Sequence, residues 1–224
     1  TLGWTAWRLP ETKSDNDRFA LSFRDLGRAL HQILTTPQTI GYAVAFGFFF
    51  GVLMSYIGSA QQIFVDIYGL GDRFPLVFAL VALVMLPASM LNSHFVSRYG
   101  MRRVSFLALA GFLAICLLMA LYGFPAKPPL AVFCMFVGST FFCFGLIGPN
   151  FNALAMEHVG NIAGTASSFI GFYTTASGAA LGWIVGHFLD GTVRPLTIGY
   201  TLLGLGALVT VLITERMRYK AKQV

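Results

Sequence analysis

Charge is scarce in this chain, and its absences are more informative than its presence. Only 11% of the 224 residues are Asp, Glu, Lys or Arg, against about 25% in a soluble domain. Six stretches, at 38–60, 75–96, 104–122, 130–148, 163–188 and 196–214, contain none of the four. Each has the length of about 20 residues that a helix needs to cross a hydrocarbon core ~30 Å thick. Backbone groups in such a medium must be satisfied within the segment, so the stretches are helices. This excludes a soluble fold. Cysteine is also scarce. Cys116, Cys134 and Cys143 all lie in apolar stretches, are odd in number, form no C-x-x-C pair and have no neighbouring His. That excludes a disulfide framework and reads as small packing residues rather than metal ligands. No metal or cofactor is expected. Catalytic patterns are missing as well. Gly58-Ser59 and Gly138-Ser139 lack the G-x-S-G setting of a membrane serine protease, the sixth stretch has no His, and paired N-P-A turns are absent. The chain is not expected to be an enzyme.

The charges that are present fall in alternate gaps. Arg73, Lys127 and Arg194 lie on one side of the membrane, and the other twelve of the 15 Lys and Arg residues lie on the opposite side. The positive-inside rule makes the richer side cytoplasmic, with both termini there. A multi-pass protein of the cell inner (plasma) membrane is expected. The net charge of +6 reflects these anchors. No basic run is interleaved with aromatics on a soluble module, so nucleic acid is not an expected partner.

Three regions follow: residues 1–37, a cytoplasmic linker with an amphipathic helix; 38–214, a six-helix transmembrane domain; and 215–224, a basic cytoplasmic tail. The opening has no initiator Met and no signal-peptide pattern. Trp4, Trp7, Arg8 and Pro10 resemble the interfacial end of a preceding helix, so the chain is expected to start within a longer protein. Ser22 and Asp25 fit a helix start. Phe23, Leu26, Leu30, Ile33 and Leu34 then recur at helical spacing opposite Arg24, Arg28 and Gln32. That describes a short helix on the cytoplasmic membrane surface, as a connector or as a partner-binding element.

Within the spans, two patterns stand out. In the fifth, Gly164, Ser168, Gly171, Thr175, Gly178, Gly182 and Gly186 recur every three or four residues. Such a stripe lets another backbone sit close, and Gly171, Gly178, Gly182 and Gly186 are the expected packing positions. The facing helix is left open, while Ala207 in the sixth span is expected to face lipid. The second pattern is a repeat. His94–Ser97 reads HFVS and His187–Asp190 reads HFLD, and Gly111 and Gly204 share the same offset. Copies separated by three helices have opposite orientations, the three-plus-three inverted repeat of many secondary transporters.

The loop after the second span reads SRYGMRR, and a stretch after the fourth reads LIGPNFNALAMEHVGNIAGTASSFIGF. With LPET at the opening, these segments resemble the C-terminal half of the bicyclomycin-resistance (Bcr/CflA) drug/proton antiporters of the major facilitator superfamily. The loop is similar to that family's G-x-x-x-D-R-x-G-R-R. Ser93 and Ser97 stand in place of the first Gly and the acid, and Arg98, Gly100, Arg102 and Arg103 keep the basic pattern. Those four are the candidate gate loop, or else plain topological anchors. Its Gly suits a turn with positive φ, and its arginines suit pairing with neighbouring helix ends or acids.

The resemblance implies an all-α integral membrane fold, a six-transmembrane-helix bundle forming half of a major facilitator transporter. It makes the first and fourth spans the cavity-lining seventh and tenth helices. The cavity candidates are Tyr42, Phe46, Phe49, Leu53 and Tyr56 on the first, and Met135, Ser139 and Phe142 on the fourth. An aromatic, Met-containing wall suits lipophilic ligands, although the same rings suit lipid contact. At the end of the fourth span, Pro149 is expected to loosen the helix, with Asn150 and Asn152 at the loosened end. Glu157 and His158 then form either a solvated loop or an acid/base couple. The expected partners are the lipid bilayer, an N-terminal six-helix half, a small-molecule substrate and protons. In the antiporters that this chain resembles, the coupling carboxylates lie mainly in that other half, in keeping with spans that here contain no acid. Proton-coupled drug efflux is the leading expectation. Sugar or metabolite transport by a related facilitator, and a non-transporting membrane interaction module, are the alternatives.

The charge asymmetry yields a direct test. Cysteines introduced near Asp72, Lys127 and Gly191 should react with an impermeant thiol reagent added outside intact cells, and cysteines near Gly100 and Lys220 should not. External labelling of Gly100→Cys would reverse the orientation.

Overall fold

The computed structural model describes residues 7–8, 23–122 and 127–221. The expectations for Trp4 and Pro10, the LPET segment, Ser22 and Lys222 lie outside the described residues. Among those described there is no strand. The elements are α1 (Phe23–Thr35), α2 (Pro37–Gln61), α3 (Phe74–Leu83), α4 (Met85–Tyr99), α5 (Met101–Leu121), α6 (Leu130–Met156), α7 (Ala163–His187) and α8 (Arg194–Ala221). Six segments are long and apolar enough to cross a membrane, with α3 and α4 forming one of them. They are the six stretches free of charge, extended at their ends. The extensions bring Asp66, Arg102 and Glu215 onto the end turns of helices.

The central element is α2, which packs most extensively on α7 and then on α8 and α6. Half of the glycine stripe of α7 explains this. A Cβ on Gly178 would come within 2.6 Å of the Phe50 ring, and one on Gly182 within 2.7 Å of the Ser55 backbone nitrogen. Gly47 and Gly51 reciprocate from α2 against Ser177 and Leu181. The helix that faces the stripe therefore lies in this chain. The rest of the stripe behaves differently. Gly171 is exposed, and neither it nor Gly164 has any atom within 4 Å of a Cβ position. Gly171 is thus not part of this tight contact. Thr174 and Ser177 continue the buried side instead, with their hydroxyls donating to the carbonyls of Ile170 and Tyr173 one turn back.

Opposite α7, every seventh residue of α2 enters an aromatic core. Tyr42 packs on Phe151, Phe49 lies between Phe112 and Phe144, and Tyr56 stacks on Phe78 at 5.0 Å and meets Phe141 edge-on at 4.8 Å. Cys116 and Cys143 are buried as small packing groups, and Cys134 is half-buried.

Two prolines have opposite effects. Pro87 withholds a hydrogen bond from the Leu83 carbonyl, and the second span breaks at Val84, between α3 and α4. The span expected at 75–96 is present as one membrane-crossing segment with a joint within it. Pro149 withholds one from Gly145, yet α6 continues through it to Met156. The helix does not loosen there because its neighbours hold it. Asn150 Nδ2 donates to the Leu146 carbonyl at 2.7 Å and to Asn92 Oδ1 on α4 at 2.8 Å. One turn away, Gly145 leaves room for Ala88 of α4, whose Cβ would lie 2.7 Å from a Cβ on that glycine.

The stripe of α1 also divides. Ala29 and Ile33 are buried, and Ile33 packs against Val159 and Ala166, so α1 docks on the ends of α6 and α7. Gln32 and Asn161 join their side-chain amides there at 3.2 Å. Phe23, Leu26 and Leu34 remain exposed. Ala207 is fully buried, not lipid-facing.

The tight contact generates a prediction. Gly182→Leu must push Met54 and the Ser55 backbone aside, an overpacking that costs about 1–3 kcal/mol. Val209→Leu on the exposed face of α8 should be neutral. Fluorescence size-exclusion profiles of the two variants should differ sharply. Equal, wild-type-like profiles would mean that α2 and α7 do not meet at Gly182.

Candidate functional site

Gly100 joins α4 to α5 with φ +81°, a left-handed conformation that side chains other than glycine rarely adopt. Its N–H donates to the Val96 carbonyl and its own carbonyl accepts from Val104, so the chain reverses within one residue. The reversal sets Arg102 on the first turn of α5. A cation at a helix N-terminus opposes the helix dipole, and here two carboxylates offset it. Arg102 donates two hydrogen bonds from its terminal nitrogens to Glu157, the shorter at 2.6 Å, and one from Nε to Glu215 at 3.0 Å. Glu215 also accepts from the Tyr42 hydroxyl at 2.8 Å. Arg218 Nε lies 3.1 Å from the second oxygen of Glu215, an ion pair with poor hydrogen-bond alignment. The cluster fastens α2, α5, the end of α6 and α8 at one end of the bundle.

Glu157 is thus an exposed residue of the turn after α6, as the solvated reading expects, but its carboxylate is held by Arg102. His158 is exposed, and its Nδ1 lies 3.9 Å from the Glu157 carboxylate. The Arg102 hydrogen bond holds the Glu157 carboxyl below its ordinary range; burial opposes it, and the Arg102 charge adds a smaller lowering effect.

The other gate-loop residues are not in the cluster. Arg98 lies over the ring of its neighbour Tyr99, and Arg103 is exposed. Sequence reasoning missed Glu215, Asn92 and the hydroxyl role of Tyr42. Glu215 has a visible signal, an acid three residues before Arg218 on a helical face. The Asn92–Asn150 pair has none, because its residues are 58 positions apart.

The cavity candidates separate into two groups. Tyr42, Phe49 and Tyr56 are core residues, and Phe46 and Leu53 are half-buried on α2. Met135, Ser139 and Phe142 line a groove of about 510 Å³ between α3 and α6, facing Val77, Leu80, Val81 and Val84. The Ser139 hydroxyl is the principal polar side chain on its wall.

The chain matches the family model described as Major Facilitator Superfamily over residues 2–183. It is 30% identical over 207 residues to the bicyclomycin resistance protein homolog of Haemophilus influenzae, covering 91% of this chain and 50% of that protein. It is 24% identical over 185 residues to the uncharacterized MFS-type transporter YdgK of Bacillus subtilis, covering 81% of this chain and 45% of that one. The chain spans about half the length of these curated relatives.

The ion cluster predicts a pH effect. Glu157 has a lowered carboxyl pKa in the folded state, so its contribution is fully present above the ordinary Glu value of about 4.3. It is lost as pH falls through the lowered value. The pair is partly exposed, so the contribution is at most about 1 kcal/mol. Glu157→Gln should lower thermal stability slightly at neutral pH and flatten its decline in acid. Arg102→Gln, which removes a partner from both carboxylates and leaves Glu215 with Arg218 and Tyr42, should lower it more. Melting curves that stay parallel to wild type at every pH would refute the coupling.

Proposed function

Because the chain belongs to the Major Facilitator Superfamily, we propose that it forms the C-terminal six-helix half of a proton-coupled exporter of small lipophilic drugs. Similarity to a bicyclomycin resistance homolog over nearly the whole chain is the observation that carries this reading. The groove between α3 and α6 supports it. Its wall of Val, Leu, Met and Phe, with little beyond Ser139 to hydrogen-bond, suits an apolar ligand of variable shape. A sugar would require several convergent polar groups.

In this reading the Arg102–Glu157–Glu215 cluster is a latch at the cytoplasmic end, and both termini are cytoplasmic in an inner (plasma) membrane protein. Residues 1–37 link to an N-terminal six-helix half, 38–214 form the transmembrane domain, and 215–224 are a basic cytoplasmic tail. The apolar middle of the six spans is free of carboxylates, so the proton-carrying group belongs to the other half.

Cells making the full-length transporter should accumulate less of a lipophilic dye, and an uncoupler should abolish the difference. Ser139→Trp fills the groove and should reduce export several-fold at unchanged membrane abundance. Residues 1–224 should export only when the other half is supplied as a separate polypeptide. Export that persists with an uncoupler would refute proton coupling, and export by residues 1–224 alone would refute the division into halves.

A further inference from the structure

Arg102 and Arg103 are neighbours on α5 with different surroundings. Arg102 is bound by two carboxylates. Arg103 is exposed, with no ion-pair partner within the described residues. Beside it a groove of about 390 Å³ opens between α5 and α8. The two arginines form its rim, and Phe106, Leu107 and Val211 form an apolar wall. Leu107 is 69% exposed and Phe106 44%, so these two face outward from the bundle, while Val211 is buried. The Glu215 carboxylate at the groove already receives Arg102, Arg218 and the Tyr42 hydroxyl. Its charge is met, and that of Arg103 is left in excess.

The helices cross a bilayer, and Arg103 lies on the first turn of a span. A cation at that depth sits at headgroup level, and the residues three and four further along lie one turn deeper. We infer that this groove binds one anionic phospholipid, with its phosphate on Arg103 and an acyl chain against Phe106, Leu107 and Val211. The chemistry is that of basic pockets between transmembrane helices at a membrane surface. A zwitterionic headgroup brings its own cation to the arginine and is disfavoured. The site requires a membrane edge but not a particular orientation, so it stands whether or not the proposed topology does.

The test uses the purified full-length protein in detergent, titrated with phosphatidylglycerol or phosphatidylcholine, with bound lipid counted by native mass spectrometry. Phosphatidylglycerol should be retained in preference. Arg103→Gln should weaken its retention about five-fold, the effect of one basic residue at a membrane surface. Arg103→Lys should preserve most of it. Arg73→Gln removes one charge at the opposite end and should change nothing. Leu107→Ala, an apolar change at an exposed site, should weaken retention through the acyl wall and provides a second readout if Arg103→Gln is poorly folded. Equal retention of the two lipids would overturn the inference, as would equal losses in Arg103→Gln and Arg73→Gln. Displacement of the lipid by an equal concentration of water-soluble glycerol phosphate would mean a plain anion site and would also overturn it.

Discussion

Between helices in hydrocarbon there is no water to expel, so contact itself must hold them together. In this bundle that contact is the approach of α7 to α2, where Gly178 and Gly182 admit Phe50 and the Ser55 backbone. With α2 held on that side, its opposite face is free to carry Tyr42, Phe49 and Tyr56 into the rings of α5 and α6. Small residues on one side of a single helix and large ones on the other thus set the positions of the surrounding spans. The ion cluster is a consequence: Tyr42 reaches Glu215 because α2 stands at the centre.

Much of this could be read from the residues. Apolar length and the absence of charge give the six spans, because a bilayer rejects any other arrangement. Gly100 at the reversal after α4 and the close packing at Gly178 and Gly182 are both legible, since only one residue type serves either purpose well. What sequence spacing does not disclose is which partner a pattern meets. The stripe on α7 reads as one face of seven positions, yet only part of it is covered. Tyr42, Phe46, Phe49, Leu53 and Tyr56 look alike as a row of bulky residues, yet three are core and two are only half-buried. A helical period finds a face; it takes the neighbouring helices to say what the face touches.

The prolines make the same point about local and tertiary effects. Pro87 and Pro149 withhold the same hydrogen bond, and a residue-by-residue rule treats them alike. The outcome depends on the surroundings. Asn150 adds a second donor to its own helix and a link to Asn92, while the joint at Val84 has no such amide bridge among the described residues. Likewise, Arg102 and Arg103 are adjacent and identical in type. Only the arrival of Glu157 and Glu215 from distant parts of the chain separates a neutralised cation from a spare one.

The joint at Val84 has a mechanical consequence for the groove it borders. On the far side of the joint, α4 is clamped to α6 through the Asn92–Asn150 bridge and the Ala88–Gly145 contact. On the near side, α3 is a ten-residue rod, joined to that clamp where a backbone hydrogen bond is missing, and its side chains form one wall of the groove. The other wall, α6, is a continuous 27-residue helix. The groove therefore pairs a stiff wall with a compliant one. In the proposed exporter, the joint at Val84 is the point about which the α3 wall would pivot to fit ligands of different width.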